Sequence, residues 1–213
     1  ILEKTIKYHD PNGLWDNYKG KLLEVTVFAS NYVVKETIEI DKPNDFYLST
    51  CFQDFGTLKR GIDKGKNVFS LDDKPDIPEN IKENWGISDD GIKQYREQHY
   101  GHFGLPMVYK ESGMTIQDDV EIVDFDGRRC YAVTFIGKPD LIINRYYTGE
   151  QILYIDMKDF SMRGLRWKMP EMEGVQIFAG EVEINGIRIV HAKCAFDKDG
   201  NLLGSSINLP IPE

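Results

Sequence analysis

The spacing of apolar positions changes along the chain, and the changes mark out its elements. Over LEKTIKYH (2–9), Leu2, Ile6 and His9 fall at helical spacing with Lys and Glu between them, which predicts a short amphipathic helix. Asp10-Pro11-Asn12-Gly13 then carries the favoured residue at each position of a type I turn, so the helix stops by Asp10. From Lys21 the period shortens to two. In KLLEVTVFAS (21–30), Leu23, Val25, Val27 and Ala29 alternate with polar or smaller residues, and VVKETIEI (33–40) follows after a hairpin-length gap. DFYLSTCFQ (45–53), GTLKRGID (56–63) and KNVFSLD (66–72) continue the series. Strands recurring about every ten to twelve residues between Gly, Pro, Asn and Asp clusters predict an antiparallel meander.

Between 74 and 112 the pattern becomes turn-rich and then helical. Pro78 and Glu79 suit a first helical turn, and Ser88 before Asp89-Asp90 reads as an N-cap with an acidic first turn. Ile92, Tyr95, His99 and Phe103 share one helical face, and Gly101, Gly104 and Pro106 limit its extension. The strand period returns in VEIVDFDGRRCYAVTFI (120–136), a hairpin turning at Asp126-Gly127. Two or three strands are predicted between Asp140 and Met169. At least three more follow Gly174, with Asn185-Gly186 and Asp199-Gly200 as turns. The predicted fold is α+β and mostly antiparallel β, in a single domain over 1–213. It is a curled half-open barrel of about 10–11 strands with a short N-terminal helix and a central helical lid over about 79–110. Such a lid over a wide sheet leaves an apolar cavity.

Composition narrows the partners. The chain has 213 residues and a formal net charge of -9 with scattered basic residues, which argues against nucleic acid and anionic membrane surfaces. Cys51, Cys130 and Cys194 lie outside any CxxC spacing, so a zinc ribbon is excluded and three buried thiols on strands are expected. No apolar run approaches the roughly 20 residues of a membrane-spanning helix. The sequence begins at Ile1, which is read as the product of a removed signal peptide, with any lipid anchor upstream.

The helix–strands–helices–strands order is similar to the lipoprotein-carrier fold of the outer-membrane lipoprotein localisation proteins, in which helices cap an acyl-chain cavity in a half-open barrel. More closely, YHDPNGLW (8–15), YGHFGLPMVYKESG (100–113) and GKPDLIINRYYTGEQILYIDMKDFSMRGLRW (137–167) resemble a family of exported proteins, often lipoproteins, from Bacteroidetes. The resemblance implies an envelope location, in the periplasm or at the outer membrane, and supports the fold. It implies no chemistry.

Candidate chemistry is sparse. GxSxG, Walker and GxGxxG motifs are absent, which removes the commonest hydrolase and nucleotide readings. His99 and His102 are three apart on the predicted helix, and His9 is a possible third imidazole, so these form a candidate metal set. His9, Asp10 and His99 are the corresponding candidates for catalysis on a small carbonyl or ester substrate. Against both stand local roles: Asp10 in its turn, His99 on the inner face of the lid, His102 bonded to the following connection. Met157, Met162, Met169 and Met172 with Phe160 and Trp167 suit either a cavity wall or ordinary core. Arg145, Arg163 and Arg166 on neighbouring strands are candidates for an anionic head group, with Arg145 favoured by its apolar and aromatic flanks.

The leading expectation is a monomeric, non-enzymatic envelope protein holding a hydrophobic small molecule or acyl chain, without a cofactor. Tyr8, His9, Trp15, Trp85, Tyr95, His99, Phe103, Met107, Arg145 and Trp167 are the expected ligand residues. The alternatives are a metal- or His/Asp-dependent enzyme and a surface interaction module of an envelope or nutrient-uptake assembly.

Overall fold

The structure is a computed structural model describing residues 1–137, 149–169 and 172–211. Helix α1 (Leu2–His9) ends at the expected turn, where the Gly13 amide reaches the Asp10 carbonyl at 3.4 Å. The Asp10 carboxylate accepts from the Leu14 and Trp15 amides at 2.7 and 3.0 Å, so this acid serves the chain reversal.

Five strands follow: β1 (Lys19–Phe28), β2 (Val33–Asp41), β3 (Phe46–Gln53), β4 (Gly56–Asp63) and β5 (Lys66–Leu71). Helices α2 (Glu79–Asn84) and α3 (Asp89–Phe103) come next, then a 3₁₀ turn over Met107–Lys110. The C-terminal part holds β6 (Thr115–Ile116), β7 (Glu121–Phe125), β8 (Arg128–Ile136), β9 (Glu150–Asp156) and β10 (Met162–Met169). It ends with β11 (Met172–Ile184), β12 (Ile187–Asp197) and β13 (Leu202–Pro210).

All of these join one antiparallel 13-stranded sheet in the order β5-β4-β3-β2-β1-β13-β12-β11-β10-β9-β8-β6, with β7 also on β8. Two meanders are thus stitched together by the pairing of β1 with β13. The turn dipeptides explain the register. Asp126-Gly127 and Asn185-Gly186 both have two successive positive φ angles, the geometry whose twist matches a two-residue hairpin. The edges β5 and β6/β7 do not pair with each other, so the sheet is curled and open as expected.

Helix α3 crosses the concave side and contacts β4. Its N-terminus is capped as the sequence predicts, with Ser88 Oγ accepting from the Gly91 amide at 3.1 Å. Ile92, His99 and Phe103 form its buried stripe. A large apolar cluster around Leu22, Ile38, Tyr47, Phe103, Phe135 and Ile189 fills one part of the concavity. A smaller one, built from Cys51, Leu58, Ile77 and Ile87, lies under α2. The expectation of three buried thiols needs one correction: Cys51 and Cys130 are buried but Cys194 is exposed. Cys194 follows Lys193 on β12, and strand alternation sends neighbouring side chains to opposite faces.

Candidate functional site

The face beneath α3 is interrupted by charge. Register places Glu24 directly opposite Glu36 across β1 and β2, and Ser49 opposite Arg60 across β3 and β4. Like charges facing across strands are destabilising unless compensated. Here Arg60 Nη2 lies 3.2 Å from Glu36, and Lys193 Nζ lies 3.8 Å from Glu24. Arg60 also donates to the Trp85 carbonyl at 2.8 Å and stacks over the Tyr95 ring at 3.4 Å. Ser49 donates to Glu36, and His99 shares a 2.6 Å hydrogen bond with the Tyr47 hydroxyl while facing Glu36 at 3.6 Å.

The electrostatics follow from this packing. Burial opposes charge on Glu36, but His99, Arg60 and Ser49 outweigh it and hold the carboxyl below its usual range. Burial lowers the His99 pKa against the pull of Glu36 and Glu24. Burial lowers the Lys193 pKa as well, opposed by Glu24.

Glu24, Glu36, Arg60, His99 and Lys193 all line a cavity of about 680 Å³, a volume within the usual range of small-molecule sites. Tyr95, Gln98, His99 and His102 reach it from α3, with Asn84 and Trp85 from the end of α2. Its opposite wall comes from β1, β2, β11, β12 and β13, including Thr26, Val34, Gln176, Ala195 and Ser206. Phe28, Tyr32 and Leu203 also line it and are 43%, 46% and 40% exposed, whereas Lys193 is 5% exposed. The cavity therefore has buried charge at its depth and exposed apolar side chains at its mouth. A soluble fold usually distributes these groups the other way round.

The expected residues separate into distinct places. Trp85, Tyr95 and His99 line the cavity. Phe103 stacks on His99 at 5.7 Å and, with Trp15 and Met107, belongs to the large apolar cluster. Tyr8 donates to Glu181 at 3.0 Å, and the Arg188 guanidinium lies 4.7 Å over its ring. His9 is fully buried, with Nδ1 2.8 Å from the Arg188 carbonyl and Nε2 3.4 Å from the Met162 amide. Trp167 is buried against Gly174, where a Cβ would meet the indole at 2.5 Å. Met162 joins the large cluster, and Arg166 pairs with Glu173. Arg145 lies outside the described residues.

Among the described residues, the donors that approach one another closely enough for one cation are Glu24, Glu36 and His99, within 4.8 Å. The suggested set of His9, His99 and His102 does not assemble, because both ring nitrogens of His9 are engaged with β12 and β10. In the set that does assemble, Arg60 and Lys193 already supply two positive charges to the two carboxylates. Binding a divalent ion there would put it against both cations, an arrangement opposed by Coulomb repulsion in a poorly solvated site.

Glu24, Glu36, Arg60 and Lys193 were not singled out from the sequence. Each is one polar residue in a strand with others, and only the register brings them together. The available signal was Glu36, which interrupts the apolar face of Val34, Ile38 and Ile40 in β2; Glu24 gave none. The regular alternation in β1 runs through Leu23, Val25 and Val27, yet the cavity side is Glu24, Thr26 and Phe28.

The fold has solved relatives. A LolA-superfamily protein from Nitrosomonas europaea superposes with a TM-score of 0.52 at 11% identity, over 100% of this chain and 92% of that one. A putative outer-membrane lipoprotein-sorting protein domain from Vibrio parahaemolyticus gives 0.50 at 10% identity, over 99% and 90%. At these identities the likeness concerns the fold. No match is found among curated proteins. A family model does match nearly end to end, over residues 1–205, and the chain belongs to that family of unknown function, DUF6503.

Proposed function

We propose that this protein is a non-enzymatic carrier of the cell envelope that holds an apolar chain in the cavity beneath α3. The observation that carries the reading is the cavity's shape and mouth: about 680 Å³ between a helix and an open sheet, entered past Phe28, Tyr32 and Leu203. At roughly 30 Å³ per water-sized group, that volume takes on the order of twenty such groups. Exposed aromatic and aliphatic side chains around an opening give a chain leaving a membrane or another carrier an apolar surface to cross. The likeness to carrier-type folds supports the same role and a location in the periplasm or at the outer membrane. The net charge of -9 fits a small-molecule ligand better than nucleic acid. On this reading the protein acts as a monomer.

Native mass spectrometry of the purified protein, incubated with a bacterial envelope lipid extract, tests the proposal. A discrete adduct of one lipid per chain is expected. The bare chain alone after incubation would contradict it.

A further inference from the structure

Among the described residues that line the cavity, one cation has unused hydrogen-bonding capacity. Lys193 Nζ is buried and makes no hydrogen bond to any described residue, although an ammonium carries three donors. Glu24 approaches only to 3.8 Å, and the Phe103 ring centroid stands at 5.4 Å. Leaving such a group unsatisfied in a poorly solvated site is costly, and native proteins keep few of them without a purpose. Lys193 also lines the cavity, so its free donors border the space a ligand would fill.

Its neighbours suit the same task. Ser206 is paired with Lys193 across β12 and β13, and both line the cavity. Gln176 stands on the same wall, and Gln98 faces in from α3. A hydroxyl and two amides can complete the hydrogen bonding of a two-oxygen head group held by one point charge. Arg60 does not compete for this role, because Glu36, Ser49 and the Trp85 carbonyl already engage its guanidinium.

We propose that Lys193, assisted by Ser206 and Gln176, anchors the carboxylate of a fatty-acid-like amphiphile, which enters head first with its chain running toward Phe28 and Leu203. This rests on the carrier reading and narrows it from apolar chains in general to chains ending in a carboxylate. In the complex the bound carboxylate supplies Lys193 with the hydrogen-bonded partner that Glu24 does not provide. The depth of the cavity selects the head, and the mouth accepts the tail.

The test is a calorimetric titration of the protein with dodecanoate, dodecan-1-ol and dodecyl phosphate, repeated for Lys193→Met. A second variant, Glu24→Gln with Lys193→Met, keeps the site neutral and guards against a fold defect. Dodecanoate should bind at least about tenfold more tightly than dodecan-1-ol, the scale of one charge-assisted hydrogen bond. It should also bind more tightly than dodecyl phosphate, and both variants should bind acid and alcohol equally. Equal binding of acid and alcohol by the wild type would overturn the anchor while leaving the carrier reading intact. A preference for dodecyl phosphate, or an acid preference surviving in both variants, would also overturn it. Binding of none of the three chains would overturn both readings.

Discussion

His9 shows how burial turns an apparently chemical residue into a structural one. Its ring is fully buried against the Arg188 carbonyl and the Met162 amide, and burial lowers its pKa to about 4. In the unfolded chain the same imidazole titrates near 6.5, so as pH falls the unfolded state takes up a proton first. Stability is therefore intact above pH 6.5 and is lost progressively down to about pH 4, by roughly 3 kcal/mol in all. His99 and His102 are also lowered by burial and add to the same trend. Urea unfolding at pH 7 and pH 5 should show the loss, and His9→Gln should flatten the dependence. An unchanged pH slope in that variant would contradict the assignment. Adjacent His9 and Asp10 looked like a site in the sequence, but only Asp10 could be resolved there, because its turn is local. The role of His9 depends on β10 and β12, more than 150 positions away, and no local pattern encodes that.

The helices and hairpins were the most legible parts of the chain because short-range chemistry determines them. Ser88 caps α3, and Asp126-Gly127 and Asn185-Gly186 turn their hairpins with the expected positive φ angles, whereas at Asp199-Gly200 only the glycine has one. Ser88→Ala should cost about 1 kcal/mol of stability. Because α3 roofs the cavity without closing it covalently, the same variant should weaken ligand binding while leaving the sheet's circular dichroism unchanged. Undiminished stability would mean that tertiary contacts alone fix the helix start. Strand existence was equally readable, but the functional face of each strand was not. In β1 the stronger apolar alternation lies on Leu23, Val25 and Val27, whereas the cavity side carries Glu24 and Thr26. Alternation identifies which face is greasier, and a cavity with a charged floor inverts that rule.

Taken together, the two meanders make an open sheet whose concavity is only partly filled by core. The large apolar cluster and the smaller one under α2 leave between them a band of Glu24, Glu36, Arg60 and Lys193. Packing that band with apolar side chains would often be as stable or more so, since buried ion pairs seldom add net stability. The proposed ligand, which needs polar contacts at depth, would account for their retention beside a cavity. The decisive measurement is equilibrium binding of a fluorescent acyl-chain probe to the wild type and to Ala195→Trp, in which an indole occupies the cavity wall. The carrier account predicts saturable binding at one site per chain by the wild type and at least about tenfold weaker binding by the variant, with both folded. Equal affinity in the two proteins, or no saturable binding by the wild type, would contradict it.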